Sequence, residues 1–151
     1  MVNDTELEAE LQATQAGNPG DSHCLYMKEA WLLIALRRPV EGIAMARRAQ
    51  QVWQVNRKPR EPYGGLIFWE PWIAEAAVAL AEGNWSRAEE CASQVLRDFD
   101  EEHVSYVLLE LALHAQGRLH PERVWSVCKD PARALAEFDL RAYALRRARD
   151  L

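Results

Sequence analysis

Pro71–Asp100 reads PWIAEAAVALAEGNWSRAEECASQVLRDFD, and two helical stretches in it flank the turn Gly83-Asn84. Apolar residues recur at helical spacing on both sides of that turn, and none alternate as a strand would. Ala76 and Ala79 precede it and Ala88 and Ala92 follow it, so small residues mark one face of each helix. Such faces let two antiparallel helices approach closely, and Gly83 tolerates the left-handed backbone that a tight exit needs. Trp72 and Trp85 are placed to fill the space between pairs, as aromatics at helical spacing do.

Moving outward, a shift of 34 residues lays Trp72 on Tyr106, Ile73 on Val107, Ala79 on Leu113, Gly83 on Gly117 and Trp85 on Leu119. Self-similarity at a fixed period is the mark of a repeat architecture. Towards the N-terminus, His23–Asn56 is a weaker copy: Tyr26, Ala30 and Leu33 take the first-helix places, and Gly42, Ala46 and Ala49 the second. Its turn, Arg37-Arg38-Pro39, lacks the glycine. Tyr26 and Trp72 are 46 residues apart, so 12 extra residues fall in the loop 56–65, NRKPREPYGG.

Helices are expected over 4–16 (polar, with a stripe of Leu7 and Leu11 alone), Ser22–Leu36, Val40–Val55, Leu66 or Pro71 to Glu82, Ser86–Phe99 and 101–116. A short helix from Pro121 to Cys128 follows. A last helix from Asp130-Pro131 to Arg149 has the stripe Leu135, Phe138, Ala142 and Leu145.

The 34-residue period, the opening Trp72, the small Ala76, the Gly83-Asn84-Trp85 turn and the small residues Ala88 and Ala92 resemble the tetratricopeptide repeat family. The match departs from the pattern at Glu122 and Ser126, where small and bulky apolar residues are expected, and at Asp100, where a closing proline is usual. The resemblance implies an all-α solenoid of about three antiparallel helix pairs with a C-terminal capping helix. Residues 1–21 then form a polar N-terminal segment and residues 22–151 the repeat domain. It also implies a concave surface lined by the first helix of each pair, at Met27, Trp31, Ile34, Ile73, Ala77, Leu80, Val107, Leu111 and His114. The Lys and Asn that clamp a terminal carboxylate in chaperone-binding members of the family have no counterparts there. An oily concavity takes a partner's amphipathic helix, the chain's own terminal helix, or a second copy in a homodimer.

Composition agrees with one folded domain: 151 residues, 49% hydrophobic, six tryptophans. The net charge of −5 disfavours general nucleic-acid binding. Charge alternates along the chain, however: residues 1–22 are acidic, 23–60 basic, 61–102 acidic again. This predicts complementary faces, within the fold or towards a partner. Arg47, Arg48, Arg57 and Lys58 in the basic belt are the candidates for an electrostatic contact. Cys24, Cys91 and Cys128 form no CxxC, the start is not a signal peptide, and Ala30–Leu36 is too short to span a bilayer. A cytoplasmic protein with reduced thiols is expected, making no membrane contact. No nucleophile motif, phosphate loop or metal-ligand spacing occurs, so neither catalysis nor a cofactor is expected. The functional expectation is an adaptor or small chaperone holding a polypeptide. The alternative is a regulatory module of a transcription or signalling system that touches nucleic acid through residues 37–60.

Overall fold

The computed structural model describes residues 2–18, 20, 22–56, 68–98, 103–118 and 127–151. Among these the chain is all-helical, with eight helices: α1 (Asp4–Ala16), α2 (His23–Ala35), α3 (Pro39–Asn56), α4 (Glu70–Ala81), α5 (Trp85–Asp98), α6 (His103–Ala115), α7 (Pro131–Glu137) and α8 (Leu140–Asp150). They fall into two compact units, Met1–Pro71 with Arg141–Leu151, and Trp72–Leu140. α1 packs on α2 inside the first unit.

Local chemistry explains the helix starts. Asn3 and Glu6 form a reciprocal capping box at α1: the Asn3 side chain accepts the Glu6 amide at 2.9 Å, and the Glu6 carboxylate accepts the Asn3 amide at 3.4 Å. Ser22 and Asp130 accept the Leu25 and Arg133 amides at 3.3 and 3.1 Å, capping α2 and α7. The expected loop 56–65 lies almost wholly outside the described residues, as does most of the short helix expected over 121–128; Val127–Lys129, at its end, are bends rather than helix.

Three helix exits share one geometry. Arg37, Gly83 and Gly117 take positive φ of 63°, 75° and 70°. The next amide in each case reaches back to a carbonyl five residues earlier: Arg38 to Leu33 at 2.9 Å, Asn84 to Ala79 at 2.9 Å, and Arg118 to Leu113 at 2.8 Å. This is the left-handed closure that satisfies the last carbonyls of a helix. The missing glycine of the first copy is therefore replaced by an arginine in the same backbone conformation.

Expectation and structure part at the C-terminus. A single helix from Pro131 to Arg149 is interrupted, since Phe138 is extended at φ −64°, ψ 115° and closes α7. The halves serve different cores: α7 packs on α6 in the second unit, while α8 from Arg141 onward belongs to the first. The stripe shifts accordingly. Ala142 is exposed, Leu135, Phe138 and Leu145 are half-buried, and the fully buried positions of α8 are Ala144 and Ala148.

In the first unit α2 is the central element. Eight of its thirteen residues are buried, among them Ala30–Ala35 without a break. A helix that is apolar all round must be covered all round. α3 lies closest, made possible by Gly42: a Cβ there would sit 2.6 Å from Ile34 Cγ1 and 2.8 Å from the Ala30 carbonyl. In the second unit α5 packs against α6, and the α5 face bearing Ala88, Cys91, Ala92 and Val95 is buried.

Candidate binding cleft and the predicted groove

The nine positions expected to line a groove divide between the units, three in the first and six in the second. Met27, Trp31, Ile34, Ile73, Ala77, Leu80 and Leu111 are each at most 2% exposed, so they are packing positions of the folded chain and present no open trough. Val107 is half-buried and His114 exposed. For Trp31 the cover is explicit. Tyr143 of α8 meets its ring edge-on, with centroids 5.7 Å apart, and its indole N–H donates to Glu70 Oε1 at 2.9 Å. Glu70 is clasped in turn by Arg147 of α8, whose Nε donates to Oε1 at 2.7 Å and whose Nη2 donates to Oε2. The chain's own terminal helix, one of the three occupants considered for the concavity, thus covers Trp31. Sequence reading missed Glu70 and Arg147. The only trace of them is a carboxylate just before Pro71 and an arginine-rich last helix, which reads equally well as a favourable helix-dipole arrangement.

The second unit holds one buried carboxylate, Glu75, and one half-buried, Glu110. Glu75 of α4 receives Arg87 Nη2 at 2.5 Å and the Cys91 thiol at 3.6 Å. Burial, with the Glu75 carboxylate beside it, pushes the Cys91 thiol up to about 12, so this sulfur stays protonated and unreactive. Glu110 of α6 accepts the amides of Val127 and Cys128 at 2.7 and 3.0 Å, which pins the chain just ahead of α7. Both are structural anchors.

An open cleft of about 580 Å³ does exist, within the first unit, along α3 where it faces α1 and α2. Leu33, Ala44 and Met45 supply its apolar surface, while Arg38, Arg47 and Arg48 bring guanidinium groups and Gln15 and Gln51 amides. Two carboxylates also line it. Glu29 is 5% exposed and accepts Gln15 Nε2 at 2.9 Å, and Glu41 pairs with Arg38 at 2.5 Å. The Arg48 guanidinium lies 5.1 Å over the Tyr26 ring, a cation–π contact that holds it at the rim. Two of the expected electrostatic residues, Arg47 and Arg48, are thus brought to this cleft and exposed; Arg57 and Lys58 lie outside the described residues.

Much of the charge alternation is spent inside the first unit. Asp4 of α1 pairs with Arg37 at 3.7 Å and Arg141 at 2.5 Å, Glu8 with Arg38 at 3.8 Å, and Glu10 with Lys28 at 3.8 Å and Arg149 at 3.9 Å. Among the described residues no group of three His, Cys, Asp or Glu could hold a metal ion, and no helix is long and apolar enough to cross a membrane. Comparison with family models, characterised proteins and solved structures finds no match to this chain.

Proposed function

We propose that this chain is a non-enzymatic interaction module, an adaptor or small chaperone, that holds a segment of a partner polypeptide. The observation that carries the reading is the cleft along α3, where an apolar floor of Leu33, Ala44 and Met45 is rimmed by guanidinium and amide donors. A floor that excludes water and a polar rim that fixes register are what an extended or helical peptide needs. The rim favours a segment bearing carboxylates. With Glu29 and Glu41 set among the guanidinium groups, the cleft has mixed charge, which suits a polypeptide segment of mixed polarity better than the uniformly anionic backbone of nucleic acid. The tetratricopeptide-like arrangement belongs to the same proposal. Its support is the shared left-handed exit at Arg37, Gly83 and Gly117, spaced 46 and 34 residues apart as the repeats require.

Affinity recovery from the native host with the Arg47→Glu/Arg48→Glu chain beside the wild type tests this reading. Both side chains are exposed, so the double variant is expected to keep its helical circular dichroism. It should lose the bound polypeptide at least tenfold, and nuclease treatment should leave wild-type recovery unchanged. Equal recovery by the two chains would remove the cleft as the binding site, and loss of recovery on nuclease treatment would remove the polypeptide.

A further inference from the structure

We infer that the segment held in the cleft along α3 lays a lysine or arginine side chain against Glu29, so that this carboxylate sets which polypeptides the cleft accepts. The inference rests on the cleft reading above and names the chemistry of its ligand. Glu29 belongs to α2, is 5% exposed and lines the open volume. A carboxylate taken out of water needs a cation or several donors to offset its lost hydration. Three other carboxylates that are buried or half-buried have them. Glu75 is met by Arg87 and the Cys91 thiol, Glu70 by Arg147 and the Trp31 indole, and Glu110 by two backbone amides. Glu29 differs. Its Oε1 accepts the neutral amide of Gln15 at 2.9 Å, and among the described residues no donor reaches Oε2 and no cation forms an ion pair with either oxygen. Neighbouring cations are turned to other partners: Arg38 to Glu41 at 2.5 Å and Glu8 at 3.8 Å, Lys28 to Glu10 at 3.8 Å, and Arg48 to the Tyr26 ring. Glu29 therefore keeps acceptor capacity for a positive group, and presents it to an open cleft rather than to a packed core.

A basic side chain fits this place. Its charge complements a carboxylate that water reaches poorly, where a charge-assisted hydrogen bond is stronger than on an open surface. Its methylene stem can run along apolar surface, which Leu33 supplies one turn of α2 beyond Glu29, with Ala44 and Met45 beside it. Arg47 and Arg48 then take a carboxylate of the same segment, so the ligand is a short stretch carrying both signs. A wholly acidic segment is repelled by Glu29, and a wholly basic one by the guanidinium groups. Like-charge contacts of this kind give selectivity as well as affinity.

Random peptides displayed on phage are the probe, selected separately on the full-length wild type, Glu29→Gln and Arg47→Glu/Arg48→Glu chains. Glu29→Gln keeps Oε1 as an acceptor for Gln15, so its helical circular dichroism is expected to match the wild type. The wild type should enrich peptides with one basic and one acidic position, and Glu29→Gln should lose the basic preference while keeping the acidic one. A selected peptide is then synthesised with its basic residue and with norleucine in that place, and both are titrated by fluorescence anisotropy. Norleucine should weaken binding to the wild type by at least about tenfold and barely change binding to Glu29→Gln, since each charge counts only when the other is present. Peptides that need Arg47 and Arg48 but bind equally well with norleucine overturn the inference and spare the cleft. If no peptide is enriched, or enrichment survives Arg47→Glu/Arg48→Glu unchanged, the cleft reading falls and the inference with it. Should Glu29→Gln fail to fold, the same two peptides on Glu41→Gln decide: a norleucine penalty that persists upholds Glu29, and one that vanishes assigns the cation to Glu41 and overturns the inference.

Discussion

Arg37 takes φ 63°, a conformation that costs a side-chain-bearing residue about 1–2 kcal/mol relative to glycine. Its ion pair to Asp4, 3.7 Å long, is exposed on both sides and returns at most about 1 kcal/mol. Arg37→Gly is therefore expected to raise stability by about 1 kcal/mol in urea unfolding, at most. Gly42→Ala tests the opposite case. In an ordinary helix interior this change gains about 1 kcal/mol, but here the new Cβ meets Ile34 and the Ala30 carbonyl below 3 Å. Overpacking of that kind costs about 1–3 kcal/mol, so a net loss is expected. The thiols give a third check at this scale. Cys24 is exposed and Cys91 buried beside Glu75, so a thiol reagent at pH 8 should label Cys24 in the folded protein and reach Cys91 only on unfolding. The sequence shows Arg37, Gly42 and Cys91 as residue types at helical positions. Their roles depend on what lies within 4 Å, which no spacing reveals.

At the scale of elements, the helices were largely legible and their partners were not. α1 to α6 follow from periodicity, capping residues and the breakers at Gly17, Pro39 and Gly83, because these are local properties of the chain. The interruption between α7 and α8 was not legible. No glycine or proline marks Phe138, and the helix ends there as the chain leaves one core for the other. Likewise, apolarity at Trp31 looks the same in the sequence whether that position faces a partner or the chain's own α8. What fastens α8 is Glu70, which accepts from both Trp31 and Arg147 with side chains only 11% and 22% exposed for the ion pair. Glu70→Ala leaves a half-buried guanidinium and an indole N–H without their acceptor. It is expected to cost about 2–4 kcal/mol, and Trp31 fluorescence should shift as α8 loosens. Arg149→Ala, whose pair to Glu10 is 3.9 Å long and exposed, is expected to cost under about 0.5 kcal/mol by the same measurement.

For the whole molecule, the pH dependence of stability has two edges with a stated sign. Burial lowers the His23 pKa below its ordinary 6.5, so the unfolded chain binds this proton more readily, and stability falls as pH drops through that value. The Cys91 thiol is raised from 9.0 to about 12, so its contribution is complete below pH 9 and is lost as pH rises from 9 to 12. Thermal melts from pH 5 to 11 should show a plateau near neutrality with both shoulders. Cys91→Ala should flatten the alkaline one. The alternating charge blocks also resolve at this scale: the acidic N-terminus pairs with basic residues of the first unit, and Arg47 and Arg48 line the cleft.

The residue order alone determined that this chain is helical and where most helices begin and end, since hydrogen bonds within a few residues set both. Only the tertiary structure decided which apolar faces are interior, that α1 and α8 fold back on α2, and that a donor-rimmed cleft opens along α3. Burial is a property of pairs of distant segments, and a side chain's hydrophobicity states that it will be covered without stating by what.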